Sequence, residues 1–205
     1  MARGIIIEPT RKVAAFKWLG SHLELLDQRK LPLEISIIAC RNAHEVGSAI
    51  GSMVVRGAPA IGCAAALGLA LEAKRLDWND PESRPQFEHC SAELARSRPT
   101  AVNLAWAVQR MLNHLANAGP KDLIPALLEA EALRICEEDL QANLRMGELG
   151  ASLLPDQCIV MTHCNTGALA TSGHGTALGV IRSARASRSE EHTSELQSRL
   201  HLVCR

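Results

Sequence analysis

The chain has 205 residues, 22 basic and 22 acidic side chains, and a formal net charge of zero. That length allows one large domain or two small ones with a buried core. The absence of a basic stripe interleaved with aromatics argues against a nucleic-acid partner, and no apolar run reaches the roughly 18 residues of a membrane-spanning helix.

With three Trp, two Phe and no Tyr, the interior must be filled by Leu, Ile, Val and Ala. The start does not read as a signal peptide. The seven cysteines, at 40, 63, 90, 136, 158, 164 and 204, are odd in number and show no C-x-x-C spacing. They read as small buried hydrophobes in a reducing compartment, so a cytoplasmic location is expected.

In chain order, residues 13–18 and 22–26 flank Gly20-Ser21 and predict a β-hairpin, and 35–39 predict a third strand. Asn42 suits the N-cap of a helix over 43–55. Arg56-Gly57-Ala58-Pro59 interrupts that pattern, and Pro59 suits the first turn of a second helix, 60–75. A polar loop follows over 77–85. The pattern predicts a helix over 86–97, another over 101–116 capped by Thr100 and stopped at Gly119-Pro120, and a long one over 122–152. Its outer face carries pairs such as Glu137 and Gln141. Pro155-Asp156 breaks that helix before an apolar, strand-like run, 158–161.

Residues 162–179 then read Thr-His-Cys-Asn-Thr-Gly-Ala-Leu-Ala-Thr-Ser-Gly-His-Gly-Thr-Ala-Leu-Gly. A strand ending in small residues, a thiol and glycines leaves backbone N–H groups where an anion can sit, before a helix from 177. At such a strand end the pKa of Cys164 is expected to fall, making the thiolate available as base or transition-state stabiliser. The other six cysteines fit an inert buried role. His163 and Cys164 are adjacent on an expected strand and face opposite ways, which argues against a Cys–His hydrolase. Zinc-ligand spacing is missing, and the glycines lack P-loop order. Gly167, Gly173 and Gly175 serve the backbone.

Arg56 offers a charged fork for phosphate, beside the approachable backbone of Gly57 and Ala58; the alternative is an arginine capping a tight turn. Arg98 stands at a helix entrance and either points into a cleft or is a solvated loop arginine. From about Ala186 the pattern changes to a Ser-, Arg- and Glu-rich stretch. It resembles translated sequencing-adapter text, so 186–205 is read as a non-native tail and His192, His201 and Cys204 receive no metal role.

Four stretches together resemble the methylthioribose-1-phosphate isomerase family: Leu-Leu-Asp-Gln-Arg-Lys-Leu-Pro (25–32), Met-Val-Val-Arg-Gly-Ala-Pro-Ala-Ile-Gly (53–62), Arg-Pro-Thr-Ala-Val-Asn-Leu-Ala-Trp-Ala (98–107), and the Cys164 segment through Arg182. The resemblance spans roughly 13–184. It implies an α+β fold: a small β unit plus a helical domain (1–155), then the start of a truncated Rossmann-like α/β domain (156–185). It also implies isomerisation of methylthioribose 1-phosphate to methylthioribulose 1-phosphate, with no cofactor or metal and a small sugar phosphate as partner. Cys164 would be catalytic, and Arg56, Gly57, Ala58 and Arg98 would bind substrate. The family's catalytic Asp and a substrate-binding Gln have no counterpart here. The chain is therefore expected to be an inactive, poorly soluble fragment without the family's homodimer. Two alternatives stand beside this: a regulatory subunit related to the guanine-nucleotide exchange factor for translation initiation, and a ribose-1,5-bisphosphate isomerase.

Overall fold

The computed structural model describes residues 14–119 and 123–191. Val13, Pro120 and most of the expected tail, 192–205, lie outside the described residues. What is described is a helix-dominated α+β arrangement with one small sheet.

Strands β1 (Phe16–Trp18), β2 (Leu23–Leu26) and β3 (Ile37–Cys40) form an antiparallel sheet in the order β1-β2-β3. Phe16 pairs with Leu25, and Leu25 with Ile38. Gly20, at φ +78, makes the expected hairpin turn. The central strand buries Leu23, Leu25 and Leu26. The third strand starts later than predicted, and Ile35 is exposed in the loop before it.

Helix α1 (Ala43–Gly51) begins at the predicted cap: the Asn42 side chain accepts from Glu45 N–H, and the Glu45 carboxylate accepts Arg41 N–H at 2.6 Å. These reciprocal bonds satisfy donors that a helix start otherwise leaves open. A second carboxylate, that of buried Glu72, accepts Ala43 N–H at 3.1 Å. The helix stops four residues short of the predicted end. Val54 N–H donates to Ala49 C=O and Met53 N–H to Ile50 C=O, with Met53 in the left-handed region at φ 64. That closure is a Schellman motif. It turns Val54 and Val55 into the core, where they are buried. Their apolar character reflects this inward turn and not a further helical one.

Helix α2 (Ala58–Arg75) is the centre of the molecule, with every residue from Ala60 to Ala73 buried. Its Ala- and Gly-rich surface lets α1, α3 (Ser83–Arg96), α4 (Val102–Ala116) and α5 (Ile124–Ala151) approach closely. Leu104, Met111, Leu115, Leu128 and Ile135 complete this core together with Phe87, which packs at a tilt on Trp78. Thr100 does not cap α4: Ala101 holds the N-cap position without a side-chain bond, and its N–H closes a turn on Arg98 C=O. Between α4 and α5, Arg110 donates to buried Glu131 at 2.5 Å and grips Glu138 with both terminal nitrogens. Arg134 also pairs with Glu131. The outer-face pair is formed, with Gln141 donating to Glu137 at 2.7 Å.

After α5 the sequence expectation and the structure part. Residues 158–161 join no sheet ladder beyond a single bridge at Met161, and Ile159 and Met161 are each 83% exposed. An apolar run becomes a strand only where another strand offers its N–H and C=O groups, and among the described residues the three-stranded sheet does not extend to it. A 3-10 turn (Ala168–Ala170) and helix α6 (Ala177–Glu191) follow. Helix α6 lies along α5 and continues past residue 186, where Arg188 donates to the carbonyls of Leu154, Pro155 and Asp156.

His174 locks this contact. Its Nε2 lies 2.9 Å from Ser183 Oγ, and both side chains fill the space left by Gly147. Burial, then the charge of Arg182, hold the imidazole below its ordinary 6.5. A group that stays neutral in the fold while the unfolded chain takes up a proton costs stability as pH falls below that value. The urea midpoint should therefore decline as pH is lowered from about 7.5 to about 5.5, and His174→Gln should flatten part of that decline.

Candidate functional site

The residues singled out from the sequence lie on three turns, and the packing around α2 gathers those turns at one end of it. The first is the linker from α1 to α2. Gly57 adopts φ +96, in the left-handed region where glycine is at ease. A Cβ placed there would sit 2.4 Å from the Cα of Ala170. The turn bearing Arg56 therefore lies backbone to backbone against the 3-10 turn that follows Cys164. Ala58 is exposed, Pro59 occupies the first turn of α2, and that turn presents N–H groups without intrahelical acceptors at the positive end of the helix dipole.

Arg56 itself is half-buried. Its Nε is buried without a hydrogen-bond partner among the described residues. An unpaired buried donor on a charged group is costly, and an anion is what offsets that cost. Arg29 and Arg110, by contrast, are committed to carboxylates. Arg29 meets buried Asp27 through two nitrogens at 2.8 and 2.7 Å, and holds that carboxyl below its usual range.

Arg98, also half-buried, stands on the turn between α3 and α4. Two contacts bring this turn to the same end of α2. A Cβ on Gly51 would lie 3.5 Å from Ser97 C=O, and one on Gly62 would lie 2.9 Å from Asn103 C=O, at the start of α4. The segments carrying Arg56 and Arg98 thus flank a common corner.

Cys164 is exposed and has φ 70, a left-handed backbone that costs a non-glycine residue about 1–2 kcal/mol. It is reached from the exposed 158–161 segment and not from a sheet strand, so the alternation argument that separated it from His163 has no pleat to rest on. No hydrogen bond joins Arg56, Arg98 and Cys164 among the described residues. Two concavities lie elsewhere. One of about 310 Å³ between α1 and α3 is lined by residues including His44, Cys90 and Ser97; the other, about 550 Å³, lies beside α5 and includes Phe16, Cys136 and Ser172. Arg56, Arg98 and Cys164 line neither.

Sequence reasoning passed over Gln28 and Asp139, which help hold the Cys164 loop in place, and named Gly175 for its backbone role. Gln28, only 2% exposed, donates from Nε2 to Leu169 C=O at 2.9 Å. From α5, the Asp139 carboxylate accepts Ser172 N–H at 2.7 Å, and the Ser172 hydroxyl donates to Cys136 C=O at 2.8 Å. Gly175, at φ +95, packs against Thr166 C=O and closes the loop. The one available signal was a buried-type polar pair, Asp27-Gln28, directly after an apolar strand.

The comparisons with known proteins agree with one another. A family model described as the Initiation factor 2 subunit family matches residues 54–199. The methylthioribose-1-phosphate isomerase of Alcanivorax borkumensis is 55% identical over 171 residues, 83% of this chain and 49% of that protein. The protein of the same name from Methylococcus capsulatus is 56% identical over 172 residues, 83% of this chain and 48% of its own. Among solved structures, the 5-methylthioribose 1-phosphate isomerase of Pyrococcus horikoshii OT3 superposes with a TM-score of 0.80 at 40% identity, covering 86% of this chain and 50% of that one. The translation initiation factor eIF-2B subunit delta from A. fulgidus gives 0.76 at 41% identity, covering 86% and 52%. The chain spans about half the length of the curated relatives it matches.

Two outcomes test this geometry. Burial pushes the Cys40 thiol up to about 11, and the neighbouring Cys136 thiol, then burial, push Cys63 up as well. At about pH 8, iodoacetamide should modify Cys164 well ahead of Cys40 and Cys63; peptide mass spectrometry showing Cys63 labelled at the same rate would contradict the packing. Replacing Gly57→Ala should destabilise the chain by roughly 2–5 kcal/mol in urea denaturation, combining left-handed strain with overpacking against Ala170.

Proposed function

The chain belongs to the Initiation factor 2 subunit family, and on that premise we propose that it carries the phosphosugar clamp and the thiol of a methylthioribose-1-phosphate isomerase. The observation that carries this reading is the Nε of Arg56 at the start of α2, buried without a hydrogen-bond partner among the described residues, on a turn packed directly against the 3-10 turn that follows Cys164. High identity to proteins named methylthioribose-1-phosphate isomerase supports it.

The reaction is an internal transfer with no net oxidation. The ring C1–O bond breaks, a hydrogen leaves C2 for C1, and the C2 hydroxyl becomes a ketone. The ring oxygen must gain a proton and the C2 hydroxyl must lose one. Arg56, with the N–H groups of Gly57 and Ala58, would hold the phosphate, and Arg98 would add a second positive charge from the α3–α4 turn. Holding the phosphate fixes C1 and C2 relative to the enzyme, so that a thiolate on the neighbouring loop meets the same atoms each time. Cys164 would act there as base or as a group stabilising charge at C2. In this reading the acid that protonates the ring oxygen is assigned to none of the 205 residues. The exposed run at 158–161 would be the first strand of a second, Rossmann-like sheet. A cytoplasmic location fits the free thiols, and among the described residues no helix is long and apolar enough to cross a membrane.

The second reading, a non-catalytic regulatory subunit, is favoured by the likeness to the A. fulgidus eIF-2B delta structure. Binding separates the two. By calorimetry the chain should bind methylthioribose 1-phosphate, and Arg56→Ala should weaken binding by roughly 10–100-fold, the worth of a charged hydrogen bond. Absence of any sugar-phosphate binding would favour the regulatory reading. Turnover by the 205 residues alone would overturn the assignment of the acid. In a chain extended to the family's full length, Cys164→Ala should lower kcat by about 10²–10⁴, and unchanged turnover would remove the thiol from the mechanism.

A further inference from the structure

Gln28 touches both halves of the candidate site. It lies two residues past the end of β2, is almost wholly buried, and uses its backbone and its side chain on different segments. Its N–H donates to Val54 C=O at 3.0 Å, two residues before Arg56. Its Nε2 donates to Leu169 C=O at 2.9 Å, in the 3-10 turn five residues after Cys164. Asp139 and Ser172 hold the same loop, but they tie it only to α5. We propose that Gln28 is a positioning residue, a single buried amide that sets the Arg56–Gly57 turn and the Cys164 loop at a fixed separation.

Gly57 meets Ala170 with no side chain of its own and only the Ala170 methyl at the contact, and among the described residues no hydrogen bond joins the two to fix their offset. The loop beyond Ala170 is fastened to α5, which leaves the stretch between Cys164 and Ala170 to be fixed by other means. The Gln28 amide supplies a directional bond at the middle of the 3-10 turn, and the residue's own backbone N–H links that bond to Val54. Losing the donor leaves Leu169 C=O without this partner and frees the turn to shift against Arg56. A clamp and a reactive group displaced by about 1 Å lose much of their benefit even when each is intact. This inference rests on the isomerase reading for its functional consequence, and on the two hydrogen bonds alone for its structural one.

The test uses the whole chain with Gln28→Met, which keeps length and volume but removes the donor. Amide hydrogen exchange over 166–172 should quicken by about tenfold or more, the effect of one lost buried hydrogen bond, while α4 is unchanged. Methylthioribose 1-phosphate should still bind within about threefold of wild type. The bound sugar phosphate should, however, no longer shield Cys164 from iodoacetamide as it does in the wild type. Retained shielding, unaltered exchange over 166–172, or equal acceleration in α4 would overturn the positioning role. Should Gln28→Met fail to fold, Gln28→Glu gives the same answer through pH. The introduced carboxyl donates to Leu169 C=O while protonated and repels it when ionised, so protection of 166–172 should fall as pH rises, and a pH-independent pattern defeats the proposal. If the wild type itself neither binds the sugar phosphate nor shows shielding, the isomerase reading fails, and the exchange measurement still decides the role of Gln28.

Discussion

Helix α2 has no polar face through its central fourteen residues, and a helix of that kind is stable only when other elements enclose it on every side. The rest of the molecule follows from meeting that demand. Helices α1, α3, α4 and α5 surround it, and alanine and glycine on its surface let their backbones come near. The turns that connect such a wrap must fall at the ends of the enclosed helix. That is why the α1–α2 linker, the α3–α4 turn and the loop after Cys164 meet beside its N-terminus, although they are distant in sequence. A rigid, buried scaffold with chemistry placed on its connecting turns is a common division of labour.

The charged groups divide along the same lines. Asp27 with Arg29, and Glu131 with Arg110 and Arg134, are ion-paired internally and hold elements in place. Removing one member of such a buried set strands the other, which makes these pairs structural constraints rather than available binding groups. Arg56 differs from these arginines in having an Nε that is buried without a hydrogen-bond partner among the described residues. Cys164 stands apart among the described thiols because it is exposed on left-handed backbone. Stored cost of this sort concentrates where a fold binds or reacts with something, and here both instances sit on segments that contact each other through Gly57 and Ala170.

Where the sequence reading and the structure diverge, a long-range or local bond explains the difference. The apolar pair Val54-Val55 looks like a continuing helix, but the Schellman closure on Ala49 and Ile50 bends it into the core. Thr100 has the right chemistry for a cap, yet the turn on Arg98 moves the start of α4 one residue on. The run at 158–161 has strand composition, and composition cannot supply a partner strand. The hairpin, the Asn42 cap, Pro59 in the first turn of α2 and the order of six helices were legible because each depends on neighbours within a few positions.

Local chemistry along the chain was therefore enough to read the order of the hairpin and the helices, the apolar α2, and Arg56, Arg98 and Cys164 as candidate site residues. Only the tertiary structure decided that Arg56 has a buried nitrogen without a partner among the described residues, that Gly57 rests on Ala170, and that Gln28 spans from Val54 to Leu169. The last two are contacts between residues more than a hundred positions apart, or between a strand end and a distant turn. Such contacts exist because burying α2 brings the segments together, and residue spacing along the chain carries no record of them.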